Sequence, residues 1–203
     1  MSGIRVISGS ARGRRLKRVP GNGTRPVTDR VKEALFNIIG LNVRGSMFLD
    51  MFGGTGSVGI EAISRGAARV IFLDNGREAV NTIRSNLALT GFSEQSEVVK
   101  VDALTYLERS PRGGFDYIYI APPQSRGLWS AAMQLLDDNS TWLNSEGWVI
   151  AQIQPNEYVK LKLKSLMLFD RRRYGNTMLC FYCAECDREV ECLHGTQDDF
   201  PNS

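Results

Sequence analysis

The sequence predicts an α/β domain built on a doubly wound, mostly parallel sheet that ends in an antiparallel pair. Three observations predict it. Short apolar runs alternate with amphipathic stretches from Met47 to Ile153, the pattern of repeated βα units. The first run, Met47-Phe48-Leu49, ends at Asp50 and passes through Gly53-Gly54-Thr55-Gly56 into the series Val58, Ile60, Ala62 and Ile63. That is a buried strand, a tight turn and a helix start. Two later runs also end in carboxylates, Asp74 and Asp102, and in a doubly wound sheet such strand ends face one crevice.

The elements follow in order. Ile4 to Ser8 is a β-type run, Gly9 to Gly13 a turn and Arg14 to Val19 a second candidate strand. Together they predict a basic hairpin protruding from the domain. Pro26 keeps the chain extended into a helix with Val31, Ala34, Leu35, Ile38 and Ile39 on its apolar face, capped by Thr28 or Asp29 and ended by Gly40. Val70 to Leu73 is a strand, and a helix from about Arg77 to Thr90 closes at Gly91. Val98 to Val101 is a strand, with a short helix through Leu104 and Leu107 behind it. Phe115 to Ile120 is a strand that runs into Ala121-Pro122-Pro123-Gln124; a helix carrying Leu128, Met133, Leu135 and Leu136 comes next, then a strand from Trp148 to Ile153. Two last strands, around 162–174 and 177–183, meet at the hairpin-type turn Gly175-Asn176, which makes seven strands with an antiparallel end.

Length and composition bound the answer. A chain of 203 residues with 42 % hydrophobic content forms one globular domain with a full core. No apolar run approaches the roughly 20 residues that span a bilayer, and no secretory leader opens the chain. Four cysteines, all from Cys180 onward, fit a reducing compartment rather than a disulfide scaffold. The expectation is a cytoplasmic protein without a membrane or obligate protein partner. The net charge of +3 hides an asymmetry: Arg5, Arg12, Arg14, Arg15, Lys17, Arg18 and Arg25 precede the first acid, while Glu185, Asp187, Glu189, Glu191, Asp198 and Asp199 crowd the end. The basic arm reads as a phosphate-binding patch. A transit peptide shares that composition, but the arm carries strand-turn-strand signals rather than an amphipathic helix. The organisation is therefore 1–27, a basic RNA-binding hairpin; 28–184, the catalytic-type domain; and 185–203, an acidic disordered tail. Cys183, Cys186, Cys192 and His194 hold soft ligands at a spacing outside the usual zinc patterns, so no metal is assigned.

The glycine loop can be typed by what it lacks. A P-loop needs Gly-Lys-Ser/Thr at its end, and no lysine follows. The dinucleotide fingerprint is met only loosely, by Gly54, Gly56 and Gly59, and Asp50 before the loop repels a pyrophosphate. An acid there suits a ligand with an amine and a positive centre, such as S-adenosylmethionine. Asp74 lies 20 residues past the loop, where a carboxylate takes both hydroxyls of a ribose. Asp102, followed by Ala103, is placed to accept from an adenine amino group, although a helix-cap role serves it equally well. The cofactor set is Asp50, Phe52, Gly53, Gly54, Gly56, Asp74, Asn75, Asp102 and Ala103.

With these residues in view, the chain resembles the bacterial RsmD family, the 16S ribosomal RNA guanine-N2 methyltransferases, over nearly its whole length. The resemblance rests on Arg5-Val6-Ile7-Ser8-Gly9 with Arg12-Gly13-Arg14-Arg15-Leu16, on Thr24-Arg25-Pro26 with Thr28-Asp29-Arg30-Val31-Lys32-Glu33-Ala34-Leu35-Phe36-Asn37, and on Leu49-Asp50-Met51-Phe52-Gly53-Gly54-Thr55-Gly56. It continues in Glu61-Ala62-Ile63-Ser64-Arg65-Gly66-Ala67 and Arg173-Tyr174-Gly175-Asn176-Thr177. It implies a Rossmann-like class I methyltransferase fold, S-adenosyl-L-methionine as donor, and 16S ribosomal RNA or the assembling small subunit as substrate. RNA is held by Arg12, Arg14, Arg15, Lys17 and Arg25, with Tyr174 stacking on the target base.

One stretch departs from the family. Where it carries Asp-Pro-Pro-Tyr/Phe, this chain reads Ala121-Pro122-Pro123-Gln124. An exocyclic guanine amine is a poor nucleophile because its lone pair is delocalised into the ring, and acceptors holding its hydrogens ready it for attack. Ala121 has no side-chain acceptor, and Gln124 stacks poorly. The site-forming stretch stays Ala121, Pro122, Pro123 and Gln124, with turnover conditional on the backbone carbonyls. The alternatives are a non-catalytic RNA-binding or ribosome-assembly protein that keeps the cofactor fold, and an adenine-N6 methyltransferase, which is disfavoured by the ribosomal-type hairpin.

Overall fold

The computed structural model describes residues 3–21, 27–111, 113–124 and 127–184. Thr24, Arg25, Pro26 and the tail with Cys186, Cys192 and His194 lie outside the described residues. Seven strands are present: β1 (Met47–Asp50), β2 (Arg69–Asp74), β3 (Ser96–Lys100), β4 (Phe115–Ile120), β5 (Leu143–Ile153), β6 (Leu166–Tyr174) and β7 (Thr177–Ala184). They form one sheet in the order β3-β2-β1-β4-β5-β7-β6, parallel from β3 to β5 and antiparallel at β7 and β6. The helices are α1 (Asp29–Ile39), α2 (Ser57–Ser64), α3 (Arg77–Thr90), α4 (Ala103–Leu107) and α5 (Leu128–Asp138). No helix among the described residues is long and apolar enough to cross a membrane.

Strand periodicity divides the core in two. Phe48, Val70, Phe72, Tyr117 and Phe181 face α1, α2 and α3; Leu49, Leu73, Ile118, Val149 and Cys180 face α4 and α5. Successive residues point to opposite faces, and helices cover both, which is why the central strands are apolar throughout. The order reverses between β2 and β4, on either side of β1. This switch point opens a crevice above the carboxyl ends of the strands.

Local signals set the helix ends. Thr28 Oγ1 accepts the Val31 amide at 3.4 Å to start α1, and Gly40 (φ 64°) ends it. Gly59 has a different duty: a Cβ there would lie 2.3 Å from the Phe72 ring, so α2 can rest on β2 only because the residue is glycine.

Three boundaries differ from expectation. β5 starts at Leu143 rather than Trp148, because Leu143 pairs with Phe115 across a register shift that absorbs 144–147. β3 spans Ser96–Lys100 rather than starting at Val98. β6 begins at Leu166; Leu161 and Leu163 pack against the α4/α5 side of the core instead of joining the sheet.

The largest difference concerns residues 3–21. They form a hairpin-like turn with a single bridge, Arg5 to Arg15, and three further backbone bonds of 2.8–2.9 Å, and the turn does not protrude. Ile4, Val6, Ala11 and Leu16 are buried in the core. The backbone bonds mainly to helix side chains: Glu61 accepts from the Ile7 and Ser8 amides (2.8 and 2.9 Å), Ser64 Oγ from Ala11, and Asn86 Oδ1 from Lys17. Side-chain acceptors satisfy groups that a longer ladder would otherwise pair. Gly9 (φ 82°) is pressed against α2, and a Cβ there would sit 1.7 Å from the Ser64 carbonyl oxygen. Gly9→Ala is expected to destabilise the fold by roughly 2–3 kcal/mol, measured by urea unfolding; an unchanged midpoint would show that the arm is not docked in solution.

Candidate functional site

A cleft of about 1040 Å³ opens at the switch point, at the upper end of the ~300–1,000 Å³ usual for ligand sites. The glycine loop, Asp74, Asn75, Asp102 and Ala103 line one half, and Ala121-Pro122-Pro123-Gln124, Tyr119, Gln152, Gln154 and Glu157 line the other, with Tyr174 to Thr177 at the edge.

Asp50 forms the floor. It is 1 % exposed, and its Oδ2 accepts the Gly59 amide at 3.3 Å. Its Oδ1 is buried with no hydrogen-bond partner, although the residue faces the cleft. An unsatisfied buried carboxylate oxygen is costly and marks where a donor from a ligand would fit. Burial pushes the carboxyl from an ordinary 3.8 up to about 7, and the neighbouring Asp74 charge adds to the rise, while the Gly59 amide opposes it.

Asp74 ties the loop together. Its Oδ2 accepts from Gly54 N at 2.9 Å and its Oδ1 from Gly76 N at 2.8 Å. Each oxygen keeps lone-pair capacity for a ligand hydroxyl. Asp102 is the cap of α4: Oδ1 accepts from Leu104 and Thr105 at 3.0 and 3.1 Å, so the cap role holds while the residue also lines the cleft. Gly53 and Gly54 face the cleft, Gly54 with φ 54°. Gly56 corrects an expectation: it does not line the cleft, and its φ of 75° and close approach to Ile83 and Ile60 serve the turn into α2.

The opposite wall holds residues that local sequence reasoning missed. Tyr119, buried on β4, donates its hydroxyl proton to Gln152 Oε1 at 2.6 Å. Burial, then the Asp50 charge, drive its phenol well above the usual value, so it stays neutral. The signal for Gln152 and Gln154 was their position at the end of β5, where strand ends line the crevice. Arg30, from the first turn of α1, also reaches the cleft.

The arginines of the arm are elsewhere. Arg14 Nη1 donates to the Leu89 carbonyl and Lys17 Nζ to Ser85 Oγ, both toward the far end of α3. Ala79, in the first turn of the same helix, lines the cleft, and Leu89 lies roughly 15 Å further along the axis. Arg12, Arg14, Arg15 and Lys17 do not line the cleft, whereas Tyr174 does.

Comparison with known proteins agrees with this architecture. Residues 4–183 match the family described as conserved hypothetical protein 95. The chain is 36 % identical over 181 residues to YlbH of Bacillus subtilis, covering 88 % of this chain and 98 % of that one. It is 35 % identical over 182 residues to ribosomal RNA small subunit methyltransferase D of Haemophilus influenzae, covering 85 % and 94 %. The solved structure of yhhF from Escherichia coli superposes with a TM-score of 0.79 at 31 % identity, over 91 % of this chain and 99 % of that one. The match takes in the arm, the glycine loop and both walls of the cleft, and the chain belongs to the conserved hypothetical protein 95 family, the RsmD family that its sequence resembles.

Proposed function

We propose that the protein transfers a methyl group from S-adenosylmethionine to the exocyclic N2 of a guanine in 16S ribosomal RNA. The observation that carries the donor half is the buried, unpartnered Asp50 Oδ1 beside a glycine loop and a second strand-end carboxylate. Asp50 receives the donor's ammonium group, Gly53 and Gly54 let it lie against the backbone, Asp74 accepts from its ribose, and Phe52, Asn75, Asp102 and Ala103 enclose its adenine. When bound, the cofactor supplies a methyl group on a positively charged sulfur, which is electrophilic without further activation. Ala121 and Pro122 hold the hydrogens of the target amine through their carbonyls, Pro123 stiffens the loop, and Tyr174 stacks on the base. The RNA substrate is supported by the names of the relatives, which are ribosomal RNA small subunit methyltransferases.

A second reading has its own observation. Ala121 at the end of β4 offers no side-chain acceptor, which favours a cofactor-binding assembly protein that does not turn over. Small subunits from a strain lacking the modification, incubated with tritiated cofactor and mapped for label, separate the two. Label on a guanine is expected; label on an adenine, or binding without label, would overturn the first reading.

Asp50 also sets a pH dependence. Its carboxyl titrates at about 7 in the fold against 3.8 ordinarily, so the folded chain holds an extra proton between those values. Its contribution to stability is full below about pH 4 and is lost as pH rises through about 7. A ligand ammonium favours the ionised form, so donor binding at about pH 6 is expected to release a proton and to tighten toward about pH 8. Calorimetry in buffers of different ionisation heat measures this; identical heats at about pH 6 would remove Asp50 from the ammonium contact.

A further inference from the structure

We propose that the β6 edge and the segment leading to it form the surface that holds single-stranded RNA on its way into the cleft. This rests on the RNA-methylation reading and names where its substrate docks. Residues 158–176 carry six cations, Lys160, Lys162, Lys164, Arg171, Arg172 and Arg173, against one carboxylate, Asp170, a local charge of +5 in a chain whose total is +3. All six are exposed.

The surface adjoins the site. β6 runs toward the cleft, and the turn that follows it, Tyr174 to Thr177, lines the cleft edge. The guanidinium of Arg171 lies 4.6 Å from the Tyr158 ring centroid, and that ring stacks at 6.4 Å on Trp129 of α5. Glu157 and Leu128, next to these aromatics in the chain, line the cleft. Arg172 is held by Asp170 at 2.8 Å and Arg173 by the Gly175 carbonyl at 3.0 Å. Arginines braced this way are pre-set for phosphate oxygens, and a basic track beside aromatic rings is the chemistry that follows a nucleic-acid strand. The arm's bonded cations, by contrast, are anchored at the far end of α3. They suit a distant part of a large RNA.

The test follows the anisotropy of a fluorescein-labelled single-stranded RNA of about 16 nucleotides across a salt series, using the full chain. Arg171→Glu/Arg173→Glu is expected to weaken binding at least about tenfold and to flatten the log–log salt slope by about 1.4, the share of two phosphate contacts. Arg171→Lys/Arg173→Lys is expected to keep the slope. Wild-type affinity and slope in the glutamate variant would overturn the proposal, as would an equal loss in the lysine variant, which would indicate damage to the fold. Calorimetry with S-adenosylmethionine on the same proteins separates the two readings. A chain that binds RNA through this edge but never binds the donor refutes methyl transfer and leaves the surface standing.

Discussion

Ala121→Asp is expected to raise the rate of methyl transfer by about 10²–10³-fold, roughly 2.7–4 kcal/mol of transition-state stabilisation. Ala121 stands at the end of β4, half-buried and facing the cleft, where the family pattern has an aspartate. A carboxylate there adds a fixed acceptor for one hydrogen of the target amine as the nitrogen changes geometry. Single-turnover kinetics with saturating donor reads this step directly, since donor binding belongs to the other half of the cleft. A variant that binds donor and RNA as before but gains no rate would show that backbone carbonyls already supply all the acceptance the reaction uses. The added charge is near Asp50, so the variant's donor affinity is measured alongside.

Glu61→Gln is expected to lower stability by about 3–5 kcal/mol, a fall in Tm of roughly 6–20 °C for a chain of this size. Glu61 and Lys32 are both fully buried, 3.6 Å apart. Glu61 also accepts from Arg65 Nε at 2.8 Å and from the Ile7 and Ser8 amides. Burial pulls the Lys32 ammonium below its usual range, and the Glu61 charge opposes that pull. Neutralising Glu61 leaves a buried cation with only the Arg5 carbonyl, at 2.6 Å, as a named acceptor, and loosens the arm. Guanidinium unfolding gives the loss; a change under about 1 kcal/mol would mean that water reaches Lys32 in solution.

The donor half of the cleft could be read from the sequence because its parts are local. Asp50, the glycines and the start of α2 occupy ten consecutive residues, and Asp74 and Asp102 end the next two strands. Period-2 and period-3.6 patterns then place all of them on one side of the sheet. The two boundary differences at β5 and β6 have one origin: 144–147 and 158–164 carry strand-compatible or turn-like residues whose state is set by pairing and packing elsewhere.

Other features depend on partners far away in the chain. Glu61 looks like an ordinary polar residue in an amphipathic helix, yet it is buried by a segment more than 50 residues earlier. Gly56 and Gly59 read alike as loop glycines until Phe72 and Ile83 show what each approaches. The arm's cations suggested a protruding RNA hook, but its backbone is bonded down onto α2 and α3. The sequence alone determined the fold class, the family and the donor half, since strand ends, turns and caps are encoded within a few residues. Only the tertiary structure decided that the arm lies back against the helices, that Gln152 and Gln154 face the proline loop, and that the cations of 160–173 gather beside the cleft. Those contacts join residues tens of positions apart, and no local periodicity carries them.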